Sequence, residues 1–456
     1  MAKRGWIWAL GLLTACGGGD EGNPFDAAGE GDGAPTGGAG DADDDDDDDA
    51  VGTVGADGTA GDDDDSAEDG DIKFDTPDGN DGADDGGIPG DCECGNFDWS
   101  YVFVANSQQG TISKINTRTL EEEARYETGG LSPSRTSVSV DGKAVVVANR
   151  GVGIAKYWAR TDLCDEMANG QPGLQTSTGK NDVLPFGQDD CLAWYQDFAG
   201  MNMTVQRPVA WSPGEGPCHT DQKVWTTTGS GGMSPTMCGA NGVWVHRLNG
   251  DTGAIEDTIH IPESTFACDH TGSGLGIALG PYGGAVDFEG NFWFHGFGNG
   301  TLARIDFETL DVETTSGGGY GITVDTEGRV WNSSSISRYD PVTGDRQSAP
   351  VSSSGGIAQD LQGRIWAAGQ NGVVWVDMET LAIGDEIALP VTNQIKGVSV
   401  DIDGYIWATA QDDPRAFKID PDDYSYETYD GLDGPYTYSD MTGGAVFNVT
   451  CNPPEG

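Results

Sequence analysis

Beyond residue 100 the chain alternates apolar and polar residues with a period of two, in short runs broken by turn residues. SVSVDGKAVVVAN (Ser137 to Asn149) is one instance, with Asp141-Gly142 between its two runs. Four later segments share a single pattern: GGAVDFEGNFWF, YGITVDTEGRVW, GGIAQDLQGRIW and KGVSVDIDGYIW. They align on Asp287, Asp325, Asp360 and Asp401, spaced by 38, 35 and 41 residues, and each leads through Asp-x-x-Gly to Trp293, Trp331, Trp366 or Trp407. Asp suits such turns because its carboxylate accepts from backbone amides, and Gly because it tolerates positive φ. Each unit predicts strand, turn, strand.

A third strand follows each hairpin: LARID (Leu302 to Asp306), SISRYD (Ser335 to Asp340), VVWVD (Val373 to Asp377) and AFKID (Ala416 to Asp420). Turn residues and a more polar fourth strand complete the unit. Four antiparallel strands repeating near every 40 residues are the mark of a β-propeller blade, and the period of two excludes a helical solenoid. The first half carries the same unit with more drift: YVFVAN (Tyr101 to Asn106), GTISKIN (Gly110 to Asn116), KVWTTT (Lys223 to Thr228) and GVWVHRLNGDTGAI (Gly242 to Ile255). Second strands near Tyr101, Ala144, Lys223, Phe292, Arg329, Arg364 and Tyr405 predict seven blades. The expected fold is therefore all-β, a seven-bladed propeller of four-stranded antiparallel blades over residues 92–456. Cys92 to Ser100 is too rich in Cys and turn residues to be the first blade's inner strand. The last blade ends near Tyr429, leaving YTYSDMTGGAVFNV (Tyr436 to Val449) as a surplus, strand-like segment. It is expected to close the ring as that missing strand and so remove an exposed edge.

These repeats resemble the propellers of the virginiamycin B (streptogramin) lyase-like and NHL-like families, over most of residues 100–449 and best from Gly283 to Asp420. The resemblance implies the fold and, as one activity, ester-cleaving elimination by His and Glu at the channel mouth with Mg²⁺. The lyase-like second strand typically ends Trp-Phe-Thr-Glu. Here the strands end FWFHG, VWNSS, IWAAG and IWATA, without that Glu. His219, His246, His260, His270 and His295 are the histidines. His270 and His295 are the catalytic candidates, set against a reading of both as loop or surface residues. No Gly-x-Ser-x-Gly or His-Glu-x-x-His motif occurs.

Charge changes the picture at the amino-terminal end. The chain has 456 residues with 75 acidic and 23 basic, a net charge of −52. This excludes an electrostatic nucleic-acid binder. Residues 17–91 hold 27 acidic residues and one basic, Lys73, hence −26, with Asp43 to Asp49 unbroken. Such a Gly- and Asp-rich segment buries too little to order itself, so residues 16–91 are expected to be a disordered, extended tether. Its carboxylates imply weak, diffuse Ca²⁺ binding; no EF-hand loop is complete. Before it, Lys3 and Arg4 precede a short apolar run, Trp6 to Leu13, ending Leu13-Thr14-Ala15-Cys16. This resembles the bacterial lipobox, which implies cleavage after residue 15, acylation of Cys16 and membrane attachment by the lipid. Gly17 points to the outer membrane or cell surface, with the periplasmic face as the other address.

Eight further cysteines in an exported chain read as disulfides. Cys164 and Cys191 bracket an irregular stretch and are expected to pair. Cys92 or Cys94 is expected to meet Cys451, leaving Cys218, Cys238 and Cys268 near the third and fourth blades; Zn²⁺ is the less favoured reading of these thiols. Aligned inner-strand starts place Arg135, Arg207, Tyr282, Tyr320, Gly355 and Lys396 at one end of the channel, with Tyr438 and Asp440 from the closing strand. Residues 92–456 carry 20 basic and 48 acidic residues, a net −28, so three converging cations there stand out. They can hold a carboxylate, sulfate or phosphate. Alternatively they pair with Asp440 and backbone carbonyls and tie the blades together. The sequence therefore predicts a monomeric surface lipoprotein whose propeller binds a small anionic ligand or a protein, or, as the alternative, a lyase or hydrolase.

Overall fold

The computed structural model describes residues 99–452, apart from 152, 199–205, 217, 230–241, 267–279 and 298–299. The expected leader, Cys16, the acidic tether, Cys92, Cys94, Cys238, Cys268 and His270 lie outside the described residues. Among the described residues, seven antiparallel sheets follow one another along the chain as the blades of a propeller. Blade one is β1 (Tyr101–Asn106), β2 (Thr111–Asn116) and β3 (Glu122–Glu127). Blade two is β4 (Pro133–Val138), β5 (Ala144–Asn149), β6 (Ile154–Trp158) and β7 (Leu192–Gln196). Blade three is β8 (Val209–Trp211), β9 (Lys223–Thr228), β10 (Val243–Asn249) and β11 (Ile255–Ile261). Blade four is β12 (Pro281–Val286), β13 (Phe292–Gly296), β14 (Thr301–Ile305) and β15 (Val312–Ser316). Blade five is β16 (Ile322–Val324), β17 (Val330–Asn332), β18 (Ser335–Tyr339) and β19 (Arg346–Ser352). Blade six is β20 (Ile357–Gln359), β21 (Arg364–Ala368), β22 (Gly372–Asp377) and β23 (Ile387–Ala388), and blade seven β24 (Ile395–Val400), β25 (Ile406–Ala410), β26 (Arg415–Ile419) and β27 (Tyr426–Asp430).

Alternation explains how blades stack. Along β5, Val145 and Val147 pack with Phe103 and Ile112 of blade one, while Ala144, Val146 and Ala148 pack with Val209, Trp211 and Val224 of blade three. Both faces of a middle strand are thus buried between neighbours, as a period-two side-chain arrangement requires. Outer strands turn polar because one edge meets water, as in the exposed Arg346, Gln347 and Ser348 of β19.

The repeated Asp and Trp form one device. Each Asp sits in the turn after the inner strand. One carboxylate oxygen accepts from the amides two and four residues on, and the other accepts from the indole N–H of the repeat's Trp. The indole distances are 2.8 Å for Asp287–Trp293, 2.7 Å for Asp325–Trp331, 2.7 Å for Asp360–Trp366 and 2.8 Å for Asp401–Trp407. Arg329 and Arg364 add an Nε bond to their own Asp at 2.7 and 2.6 Å. The side chain thereby ties turn to strand in a place where an unmet indole N–H would be buried.

The ring closes by the carboxyl-terminal segment, in a different form from the expected strand. Pro435 bridges Asn106, the Tyr436 amide donates to Ala105 C=O at 3.0 Å, and the Phe103 amide donates to Met441 C=O at 2.8 Å. Three residues of β1, Phe103 to Ala105, thus span six of the closing segment, Tyr436 to Met441, so that segment bulges away from the edge it covers. The following residues are not strand. Gly444–Cys451 forms α1, entered through Gly443 at φ 86°. The alternating AVFNV run is instead helical, because packing into the propeller outweighs its strand propensity.

Candidate functional site

The inner strands β4, β8, β12, β16, β20 and β24 surround a narrow channel, lined in part by Ser137, Thr323, Ser399 and Asp440. Helix α1 stands at the end where these strands finish. Val446 packs with Val286, Val449 with Val324, and Asn448 Nδ2 donates to Gln359 C=O at 3.2 Å. Asp440 caps this helix. Its Oδ1 accepts from the Gly443 amide at 2.8 Å and the Thr442 amide at 3.4 Å, and its Oδ2 accepts from the Val446 amide at 3.5 Å. Burial raises the Asp440 carboxyl to about 6, against the pull of those amides. The expectation that Asp440 belongs with the channel-mouth cations is therefore corrected: its oxygens are committed to α1, at the far end.

The other end, where the inner strands begin, is filled by aromatic rings and cations. Tyr282, Tyr320 and Tyr438 are buried together, with Phe297 and Tyr436 against them. The Tyr436 hydroxyl bonds that of Tyr282 at 3.3 Å and that of Tyr320. Arg135 from β4 lies over the Tyr438 ring and 5.0 Å from the Tyr282 centroid. Arg207, two residues before β8, lies 4.7 Å from the same Tyr282 centroid, and its Nη1 donates to the Tyr438 hydroxyl at 3.4 Å. Lys396 from β24 sits 4.3 Å over Tyr320, with Nζ donating to Ser354 C=O at 3.0 Å. The structure thus brings Arg135, Arg207, Lys396, Tyr282, Tyr320 and Tyr438 together, from five separate stretches of inner strand and the closing segment. Gly355 has its place in the wall of the neighbouring strands, with the space its Cβ would occupy filled by Ala368 and the backbone of β24.

The electrostatics of this cluster are unbalanced. Arg135 is 0% and Arg207 4% exposed. Arg135 donates only to carbonyls, Ser134 at 3.3 Å and Tyr282 at 3.2 Å. Among the described residues no carboxylate pairs with either guanidinium, and the Nε of each has no hydrogen-bond partner. Burial, with the Arg207 charge adding to it, pulls Arg135 down to about 9, so it stays protonated at neutral pH.

His295 was expected, as the simpler reading, at a loop or surface. It is instead fully buried on β13. Its Nδ1 bonds Gly296 C=O at 2.8 Å, and its Nε2 has no partner. Burial lowers its imidazole to about 4, with Arg135 contributing to the same effect. No described carboxylate hydrogen-bonds it. His246 is also buried, between the Thr228 and Thr258 hydroxyls at 2.9 and 3.0 Å. Among the cysteines, Cys164 and Cys191 form the expected disulfide, and Cys218 and Cys451 are each disulfide-bonded, Cys451 as the last residue of α1. Among the described residues no three His, Cys, Asp or Glu gather as a metal site. Sequence alignment misses Tyr436 in the cluster, although it lies two residues before Tyr438 and so has the same strand parity.

No family model matches the chain, and no curated protein matches it in sequence. Solved structures do. A catalytically inactive virginiamycin B lyase from Staphylococcus aureus with quinupristin is 15% identical, covering 74% of this chain and 89% of that one at a TM-score of 0.43. BamB from Moraxella catarrhalis is 12% identical, covering 75% and 86% at 0.42. The dihydro-heme d1 dehydrogenase NirN is 13% identical, covering 76% of each chain at 0.43. The chain is a seven-bladed propeller similar to these in fold. At such identities a shared fold says nothing of shared chemistry.

Proposed function

We propose that this propeller is a binding module that holds an anionic group at the tyrosine-lined end of its channel. One observation carries the reading: Arg135 and Arg207 are buried against one tyrosine cluster with their Nε groups unbonded and no described carboxylate beside them. A buried guanidinium that gives up water without gaining a counter-charge is costly. A carboxylate, sulfate or phosphate would accept from both forks and offset that cost. Binding is favoured over lyase chemistry because His295 has a carbonyl partner and no described carboxylate in reach to act with it. Titration calorimetry with sulfate, phosphate and acetate tests this. Arg135→Gln or Arg207→Gln should weaken binding about tenfold or more, the usual worth of a charge-assisted hydrogen bond. Equal binding by both variants and the native protein overturns it.

The amino-terminal residues support the setting. The protein is exported, acylated at Cys16 and carried on its acidic tether at the outer membrane or cell surface. Labelled fatty acid should enter the native protein and not Cys16→Ser, which should fractionate as soluble. Label in the variant refutes the lipid anchor.

A further inference from the structure

Resting on the anion-binding reading above, we infer that His295 is a third member of that site and that the protein takes up its anion together with a proton. The tautomer sets the argument. Gly296 C=O can only accept, so the 2.8 Å contact requires the proton on Nδ1. In the neutral ring Nε2 is then a bare lone pair, and it is buried with no partner. Gly283 of β12 is its close neighbour: a Cβ there would stand 2.9 Å from Nε2, so the ring can lie against that strand only because the residue is glycine.

The groups around the ring fix what its protonation responds to. Arg135 of β4 is the charged group acting on it, while the backbone of Gly296 and Gly321 favours its protonated form. Tyr282 precedes Gly283 on β12, and Tyr320 and Gly321 precede β16, whose Ile322 also lies against position 283. Across β14 its register partner is Leu302. Arg207 reaches the same Tyr282 ring as Arg135. Burial, with the Arg135 charge adding to it, holds the imidazole neutral when no anion is bound. An anion on Arg135 and Arg207 cancels the Arg135 repulsion, and a protonated Nε2 then becomes a further donor toward it. Binding and protonation assist each other to the same degree, by linkage.

Sulfate is the probe, because its own charge is constant across the range. Its affinity for the native protein should rise about tenfold from roughly pH 7.5 to 5, with proton uptake read from calorimetry in buffers of different ionisation heat. His295→Gln should still bind sulfate, with no proton uptake and with only the weak pH dependence of the whole molecule's charge. In the native protein, the His295 imidazole followed by NMR should titrate at higher pH with sulfate than without, and Arg135→Met should raise it even without sulfate. Sulfate binding that is equally pH-dependent in the native and His295→Gln proteins overturns the coupling while leaving the anion site standing. An imidazole that titrates alike with and without bound sulfate does the same. Absence of sulfate binding to the native protein overturns both.

Discussion

At the residue scale the molecule uses carboxylates and guanidiniums in two opposite ways. In the blade turns the repeated aspartates are met on both oxygens. Asp360 accepts from the Gln362 and Arg364 amides at 2.9 Å each, from Arg364 Nε and from Trp366 Nε1. Asp360→Ala should therefore cost about 3 kcal/mol of stability, because it strands an indole N–H inside the protein, and chemical denaturation reads that directly. Asp401 has no such arginine, and burial raises it to about 6 from the ordinary 3.8. An acid raised in the folded state contributes stability that is complete below the ordinary value and is lost as pH rises through 6. The melting temperature of the native protein minus that of Asp401→Asn should thus be greater at about pH 5 than at about pH 7. An equal difference at both would refute the assignment. The channel-mouth arginines Arg135 and Arg207 are the contrary case, buried with no carboxylate partner among the described residues. Replacing a buried charge of that kind with an apolar residue is often neutral or stabilising. Arg135→Met should leave the melting temperature of the ligand-free protein unchanged or raised while abolishing sulfate binding. A large drop in melting temperature would make the cluster a structural tie between blades.

At the element scale, what the chain's pattern reveals depends on whether local and tertiary forces agree. The hairpins of blades four to seven are legible because alternation, Asp-x-x-Gly turns and Trp spacing all demand the same strands. The meeting of Arg135, Arg207 and Lys396 is legible too, since equivalent positions of repeated strands point to one axis. Helix α1 is not. Val446, Phe447, Asn448 and Val449 alternate like a strand, and only Asp440 at the helix start and the channel end that receives Val446 and Val449 select a helix. Nor is the burial of His295, which depends on Gly283 and on Ile322 of the next blade. The loop between β6 and β7 is a third element, irregular in sequence but anchored. Its Lys180 and Phe186 amides donate to Glu122 and Glu127 at 3.0 and 2.7 Å, and Cys164–Cys191 closes 27 residues of it. Chain entropy alone makes that crosslink worth about 3.5 kcal/mol. The Cys164→Ser, Cys191→Ser double variant should lose stability of that order and be cut by protease within residues 165–190, whereas resistance equal to the native protein would show that the carboxylate contacts suffice.

At the scale of the whole molecule, one stretch of chain joins the ring, the channel and the cluster. Residues 435–441 cover the edge of β1, contribute Tyr436 and Tyr438 to the cations' surroundings, and deliver Asp440 to the start of α1. Two truncations separate these roles. Removing residues 442–456 takes α1 and the Cys451 disulfide but leaves the closing segment on β1. Removing residues 435–456 takes the segment as well, so the β1 groups that bond Tyr436 and Met441 meet water, and the edge can pair with another chain. The shorter deletion should lower stability through exposure of Val286 and Val324, yet keep sulfate binding, since Arg135, Arg207 and the tyrosines remain. The longer one should melt lower still, self-associate on size-exclusion chromatography and lose sulfate. Both lose the same disulfide and the same helix, so the difference between them belongs to residues 435–441 alone. If the two truncations melt together and bind sulfate equally, the ring is held by its blades, and the carboxyl-terminal segment does no more than deliver the helix.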